Sequence, residues 1–94
     1  MIRGRLKLYK NSEGEKLYPV CSWEDNQHKL YNAHDRVMIA ISEEGYTEKL
    51  ADELERIEDA MAAFDRYVIN GLVYATYKEG QVIKDIVWAY NARH

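Results

Sequence analysis

The chain is 94 residues long, 47% hydrophobic and 31% charged, which suits one domain able to bury about two thirds of its unfolded surface. Apolar runs such as residues 37–41 fall far short of the ~20 residues that a membrane helix needs, and residues 1–5 lack the apolar core of a secretory signal, so a cytoplasmic protein is expected. The single cysteine, Cys21, excludes an internal disulfide framework and an all-cysteine zinc site, which leaves stability to packing.

The net charge of -3 conceals an uneven distribution. Over residues 1–22, Arg3, Arg5, Lys7, Lys10 and Lys16 oppose only Glu13 and Glu15, for a local charge of +3. Over residues 42–66, nine acids oppose Lys49, Arg56 and Arg66, for a local charge of -6. Such polarisation steers association with charged partners and says nothing about fold.

The first element is a strand. Ile2, Leu6 and Leu8 alternate with Arg3, Arg5, Lys7 and Tyr9, a period of two that marks a half-buried strand. Asn11-Ser12-Glu13-Gly14 supplies turn chemistry, and residues 16–21 resume an extended character, so a β-hairpin is expected. Pro19 lacks a backbone donor and predicts that this second strand sits at a sheet edge or ends nearby.

Two helices follow. Ser22 and Asp25 have the spacing of a capping box, and Trp23, Leu30, Val37 and Ile41 share one side of a helix over residues 23–42 that Gly45 terminates. Glu43 and Glu44 then fall at a helix C-terminus, where the macrodipole disfavours acids. Thr47 opens the second helix, in which Leu50, Leu54, Ile57, Met61, Phe64 and Val68 recur at alternating steps of four and three beside a dense acidic face.

The chain ends in extended structure by the same reading. Residues 68–77 are rich in β-branched and aromatic side chains, residues 78–81 interrupt them, and residues 82–90 are again strand-like, giving a second hairpin. Asn70-Gly71 fits either a turn or a bulge. The expected fold is therefore α+β in the order β-β-α-α-β-β: a four-stranded antiparallel sheet of two hairpins with two helices packed on one face.

Reactive side chains concentrate in residues 24–36 without forming a recognisable site. His28 and His34 are six positions apart and point in different directions, which argues against a shared metal. His28 and Asp35 share a polar face but lie roughly 10 Å apart along the axis, too far for a direct hydrogen bond. His34, on the apolar stripe, is expected to be a half-buried imidazole bonded to a strand. Cys21 precedes a helix N-terminus but has no histidine base at a productive spacing, and reads as a small, half-buried residue. Phosphate-binding loops, a nucleophile elbow and a dinucleotide fingerprint are absent from the sequence, so neither enzymatic activity nor a cofactor or metal is expected.

Two surfaces remain as binding candidates. Glu48, Asp52, Glu55 and Asp59 line the outer side of the second helix, where they imitate the charge of a phosphate backbone and suit a basic groove on a protein partner. Alternatively, Arg3, Arg5, Lys7 and Tyr9 on the first strand, joined by Tyr18, Tyr74, Thr76 or Tyr77, offer a basic and aromatic platform for single-stranded nucleic acid. A further possibility is a ligand pocket near His28 and His34 between helices and sheet. An exposed edge strand also leaves a symmetric homodimer open.

In build the chain resembles small accessory proteins of phages and integrative elements, which are single-domain, acidic, tyrosine-rich and without a catalytic signature. Residues 23–36, beginning Trp23-Glu24-Asp25-Asn26, are similar to segments of such proteins, although no named motif is matched and no residue role carries over. Anti-CRISPR and anti-restriction proteins of this type bind a nuclease and block its nucleic-acid site. The resemblance implies a non-enzymatic, stoichiometric inhibitor of a nuclease or other nucleic-acid-binding protein, with the acidic helix in its basic groove.

Overall fold

The computed structural model describes residues 9–92. In chain order these form β1 (Tyr9–Lys10), β2 (Lys16–Ser22), α1 (Trp23–Glu44), α2 (Glu48–Arg66), β3 (Val68–Ile69), β4 (Leu72–Ala75) and α3 (Tyr77–Ala92). The strands are antiparallel in the spatial order β1-β2-β4-β3, so the architecture is α+β. Residues 2–8 of the expected first strand, including Arg3, Arg5 and Lys7, lie outside the described residues.

The first hairpin closes through local hydrogen bonds. The Asn11 side-chain oxygen accepts from the backbone N–H of Glu13 at 3.0 Å and of Glu15 at 2.9 Å, and Gly14 adopts a φ of 82°. An asparagine that mimics a backbone turn in this way explains why the polar cluster reverses the chain.

β2 as a whole is not an edge strand, since it pairs with β1 at Lys16 and Leu17 and with β4 from Tyr18 to Ser22, while Pro19 itself is paired among the described residues with Tyr74 of β4. The proline is accommodated by a bulge between Pro19 and Cys21, where the register against Tyr74 and Val73 shifts by one residue. The bulge has a packing consequence. Val20 and Cys21 are adjacent in sequence, yet both pack against the core.

The largest departure from the sequence reading is at the C-terminal end. The apolar run at residues 68–75 is not one strand but two, β3 and β4, reversed at Asn70-Gly71, whose φ values of 52° and 82° give the two left-handed positions of a type I′ turn. Residues 82–90, expected as the fourth strand, lie in α3. The expected two-helix arrangement is thus corrected to β-β-α-α-β-β-α.

Three sequence features account for this helix. Thr76 and Glu79 form a reciprocal capping box: the Glu79 N–H donates to Thr76 Oγ1 at 3.3 Å, and the Thr76 N–H donates to Glu79 Oε1 at 3.2 Å. Gly80 is buried against β2, with the position of a Cβ on it only 3.2 Å from Val20 Cγ2, so the glycine permits close approach and does not end a strand. Ile83, Ile86 and Val87 then recur at steps of three and one, which places them on one helical face. Ile83 and Ile86 are buried, and Val87 packs against the core.

α1 and α2 are capped as their sequences imply. Ser22 Oγ accepts from the Asp25 N–H at 3.4 Å and Thr47 Oγ1 from the Leu50 N–H at 3.2 Å, while Gly45 stops α1 with a φ of 92°. Val68, placed by the sequence at the end of the α2 stripe, belongs instead to β3 and is exposed. Leu30, Phe64, Val73 and Ile83 are the largest fully buried side chains and come from α1, α2, β4 and α3 respectively, so one core joins the three helices to the sheet. No helix among the described residues is long and apolar enough to cross a membrane.

If the capping box seats α3, Thr76→Ala lowers unfolding stability by about 1 kcal/mol, whereas Thr76→Ser retains most of it. Urea denaturation followed by circular dichroism measures both changes as shifts of the midpoint at constant slope.

Candidate functional site

The acidic face of α2 is built by the apolar face behind it. Leu50, Ile57 and Phe64 are buried at seven-residue steps, which turns Glu48, Asp52, Glu55 and Asp59 outward at steps of four, three and four. All four carboxylates are exposed. The structure therefore brings together, on one line, the four acids singled out in the sequence.

The two arginines of the same helix are engaged elsewhere. Arg56 reaches across to α3, with its Nη2 3.1 Å from Asp85 Oδ2, and Arg66 does the same with its Nη1 3.0 Å from Glu79 Oε2. On the opposite flank, Glu58 Oε2 lies 3.9 Å from His34 Nε2 on α1, and Asp65 accepts from the Trp23 indole N–H at 2.9 Å. These exposed pairs contribute little stability. Their consequence is to fix where charge cancels and where it does not. Arg56 and Arg66 are drawn to Asp85 and Glu79 and not to Glu48, Asp52, Glu55 or Asp59, and the like charges at three- and four-residue spacing repel one another along the helix.

Between α2 and α3 lies a shallow cleft of about 360 Å³, floored by Ala60, Ala63 and Val82 and rimmed by Arg56, Arg66 and Lys78. Asp59 belongs to both the acidic line and this rim. A second hollow of about 320 Å³ separates the three helices near Arg36, Arg56 and Asp85. Neither hollow is lined by His28 or His34, so the pocket expected around the histidines is not formed there.

The histidines stay apart. His28 is exposed, and His34 is half-buried against Glu58 of α2, not bonded to a strand as the sequence suggested. Asp35, two turns beyond His28, is also exposed. No group of three or more histidine, cysteine, aspartate or glutamate side chains among the described residues is arranged to hold a metal ion.

The aromatic platform expected on the sheet is divided between its two faces. Tyr9 lies opposite Leu17, and Pro19 opposite Tyr74, so alternation along β2 puts Tyr9 and Tyr74 on the same side, where their rings meet edge to face at 5.1 Å. Tyr18 projects from the other side and packs edge to face on Tyr77 at 6.2 Å. Thr76 leaves the sheet altogether as the cap of α3.

The surface that sequence reasoning missed runs along α3. Tyr77, Gln81, Lys84 and Trp88 recur at steps of four, three and four, but that spacing has meaning only on a helix, and these residues were read as turn and strand. Cys21 lies beside this surface, in a hollow with Lys84 and Trp88. Burial pushes its thiol above the usual range, while the nearby ammonium groups of Lys29 and Lys84 pull the other way.

No family model, curated protein or solved structure matches the chain at a significant level.

The raised Cys21 pKa predicts that alkylation by iodoacetamide reaches its half-maximal rate at a higher pH than for an unperturbed thiol, since only the thiolate reacts. Lys84→Met moves the profile higher still, by removing a charge that favours the thiolate. Rates read across a pH series by mass spectrometry check both shifts.

Proposed function

We propose that this protein is a non-enzymatic binding module that acts in a cytoplasm by presenting Glu48, Asp52, Glu55 and Asp59 to a basic groove on a nucleic-acid-processing protein, as a small phage or mobile-element inhibitor does. The observation that carries the reading is the uncompensated charge of this line. Arg56, which stands among these acids, and Arg66 are committed to Asp85 and Glu79 on α3, which leaves Lys49 as the remaining cation of α2 beside four carboxylates.

Physical chemistry gives that arrangement a use. A straight helix with carboxylates every turn holds negative charge at fixed spacing, without the conformational freedom of a loop. Docked on lysines and arginines, it exchanges self-repulsion for attraction, and the long-range field accelerates encounter. The rigid core behind α2 keeps the acids in register. Inhibition then requires occupancy of the groove alone, with no bond made or broken.

The test is an affinity pull-down of the tagged protein from bacterial lysate treated with nuclease. A retained protein partner is expected, its affinity falling as ionic strength rises. Substituting Asp52, Glu55 and Asp59 together by lysine reduces retention at least tenfold while leaving the circular dichroism spectrum unchanged, because all three side chains are exposed. Retention of the same partner by the folded triple variant rejects the acidic-face reading.

A further inference from the structure

Tyr77, Gln81, Lys84 and Trp88 form a line about 16 Å long on the outer side of α3. Its rings are left in water: Trp88 is 74% exposed and Tyr77 68%. Tyr18 of β2, itself 45% exposed, stands against Tyr77 and widens the strip. Lys84 borders two shallow hollows, one of about 270 Å³ beside Tyr18 and Tyr77 and one of about 240 Å³ beside Cys21 and Trp88. Single exposed apolar residues are ordinary, but three large rings gathered on one strip mark an interaction site.

Charge selects the occupant. Lys84 stands within the strip, lines both of its hollows and is not ion-paired among the described residues. Asp85, the acid lining the Trp88 hollow, is drawn to Arg56 on α2. The strip thus combines open π-faces with positive charge, which complements a flexible polyanion carrying flat rings. A second copy of this chain is a poorer match, since a two-fold pairing of α3 on α3 places two Lys84 side chains close to the axis.

We propose that the strip formed by Tyr18, Tyr77, Lys84 and Trp88 binds single-stranded nucleic acid, with bases stacked on Trp88 and Tyr77 and the phosphate between them held by Lys84. Stacking on aromatic rings tolerates any base sequence, and the lysine reads only the backbone. A duplex does not fit, because its paired bases have no free faces to offer. The strip shares no residue with the acidic line of α2, so the protein carries a nucleic-acid surface as well as a nucleic-acid-like one.

Fluorescence anisotropy of the full chain with a fluorescein-labelled thymidine oligonucleotide about eight residues long, within the known range of site sizes, tests this assignment. Saturable binding is expected, weakened about 5- to 100-fold by Trp88→Ala, as the loss of one stacked base implies. Trp88→Phe restores much of that loss. One phosphate contact gives a slope of log K against log salt of about -0.7, which Lys84→Ala largely removes while Lys49→Ala on α2 leaves it unchanged. Absence of saturable binding at low salt, equal affinity for the matching duplex, or an unaltered affinity in the folded Trp88→Ala variant overturns the proposal. Concentration-dependent dimerisation in sedimentation, lost on Trp88→Ala, overturns it in favour of a second copy.

Discussion

The close approach of α3 to the sheet organises the rest of the molecule. Gly80 meets Val20 with no room for an unrestrained side chain between them, and this contact brings Ile83 and Ile86 over β4 and into the core formed with α1 and α2. Two local devices make the approach workable. The Thr76–Glu79 capping box starts the helix immediately after β4, and the bulge beyond Pro19 turns both Val20 and Cys21 inward. Without α3, Val73 and Ala75 of the sheet would lose one of the elements that cover them.

The same helix sets the electrostatic pattern of α2. Asp85 and Glu79 draw Arg56 and Arg66 to the α2–α3 side, and Asp65 and Glu58 are engaged with Trp23 and His34 of α1 on the other. What remains between these two seams is a ridge of acids facing water. Segregation of this kind costs a little stability through like-charge repulsion and yields a directional field. The ridge and the aromatic strip of α3 are therefore consequences of one arrangement, in which each helix spends its cations or apolar residues on its neighbours differently.

The two surfaces also differ in how they would recognise a partner. On α2, the proposed binding would depend on charge at fixed spacing and would weaken with salt. On α3, the proposed binding would draw most of its free energy from stacking on the rings, and Lys84 would add only a modest salt dependence. A partner that handles nucleic acid presents both matching chemistries, basic side chains and exposed bases, within one complex.

The sequence alone determined the elements whose causes are local. The Asn11 turn, the Ser22 and Thr47 caps, the Gly45 stop and the apolar stripe of α2 all depend on hydrogen bonds or side-chain repeats within a few residues, and the acidic line of Glu48, Asp52, Glu55 and Asp59 followed from that stripe. Tertiary structure decided what local preference left balanced. β-branched and aromatic residues favour a strand at 82–90 while the local Thr76–Glu79 box favours a helix, and the packing of Gly80 on Val20, some sixty residues away in sequence, with Ile83 and Ile86 in the core, tips the balance to helix. It placed β2 between β1 and β4, divided the tyrosines between two faces, and paired Arg56 with Asp85 across 29 residues and Trp23 with Asp65 across 42. The exposed line from Tyr77 to Trp88 exists only because that segment is a helix, and so no reading of it as a strand reveals it.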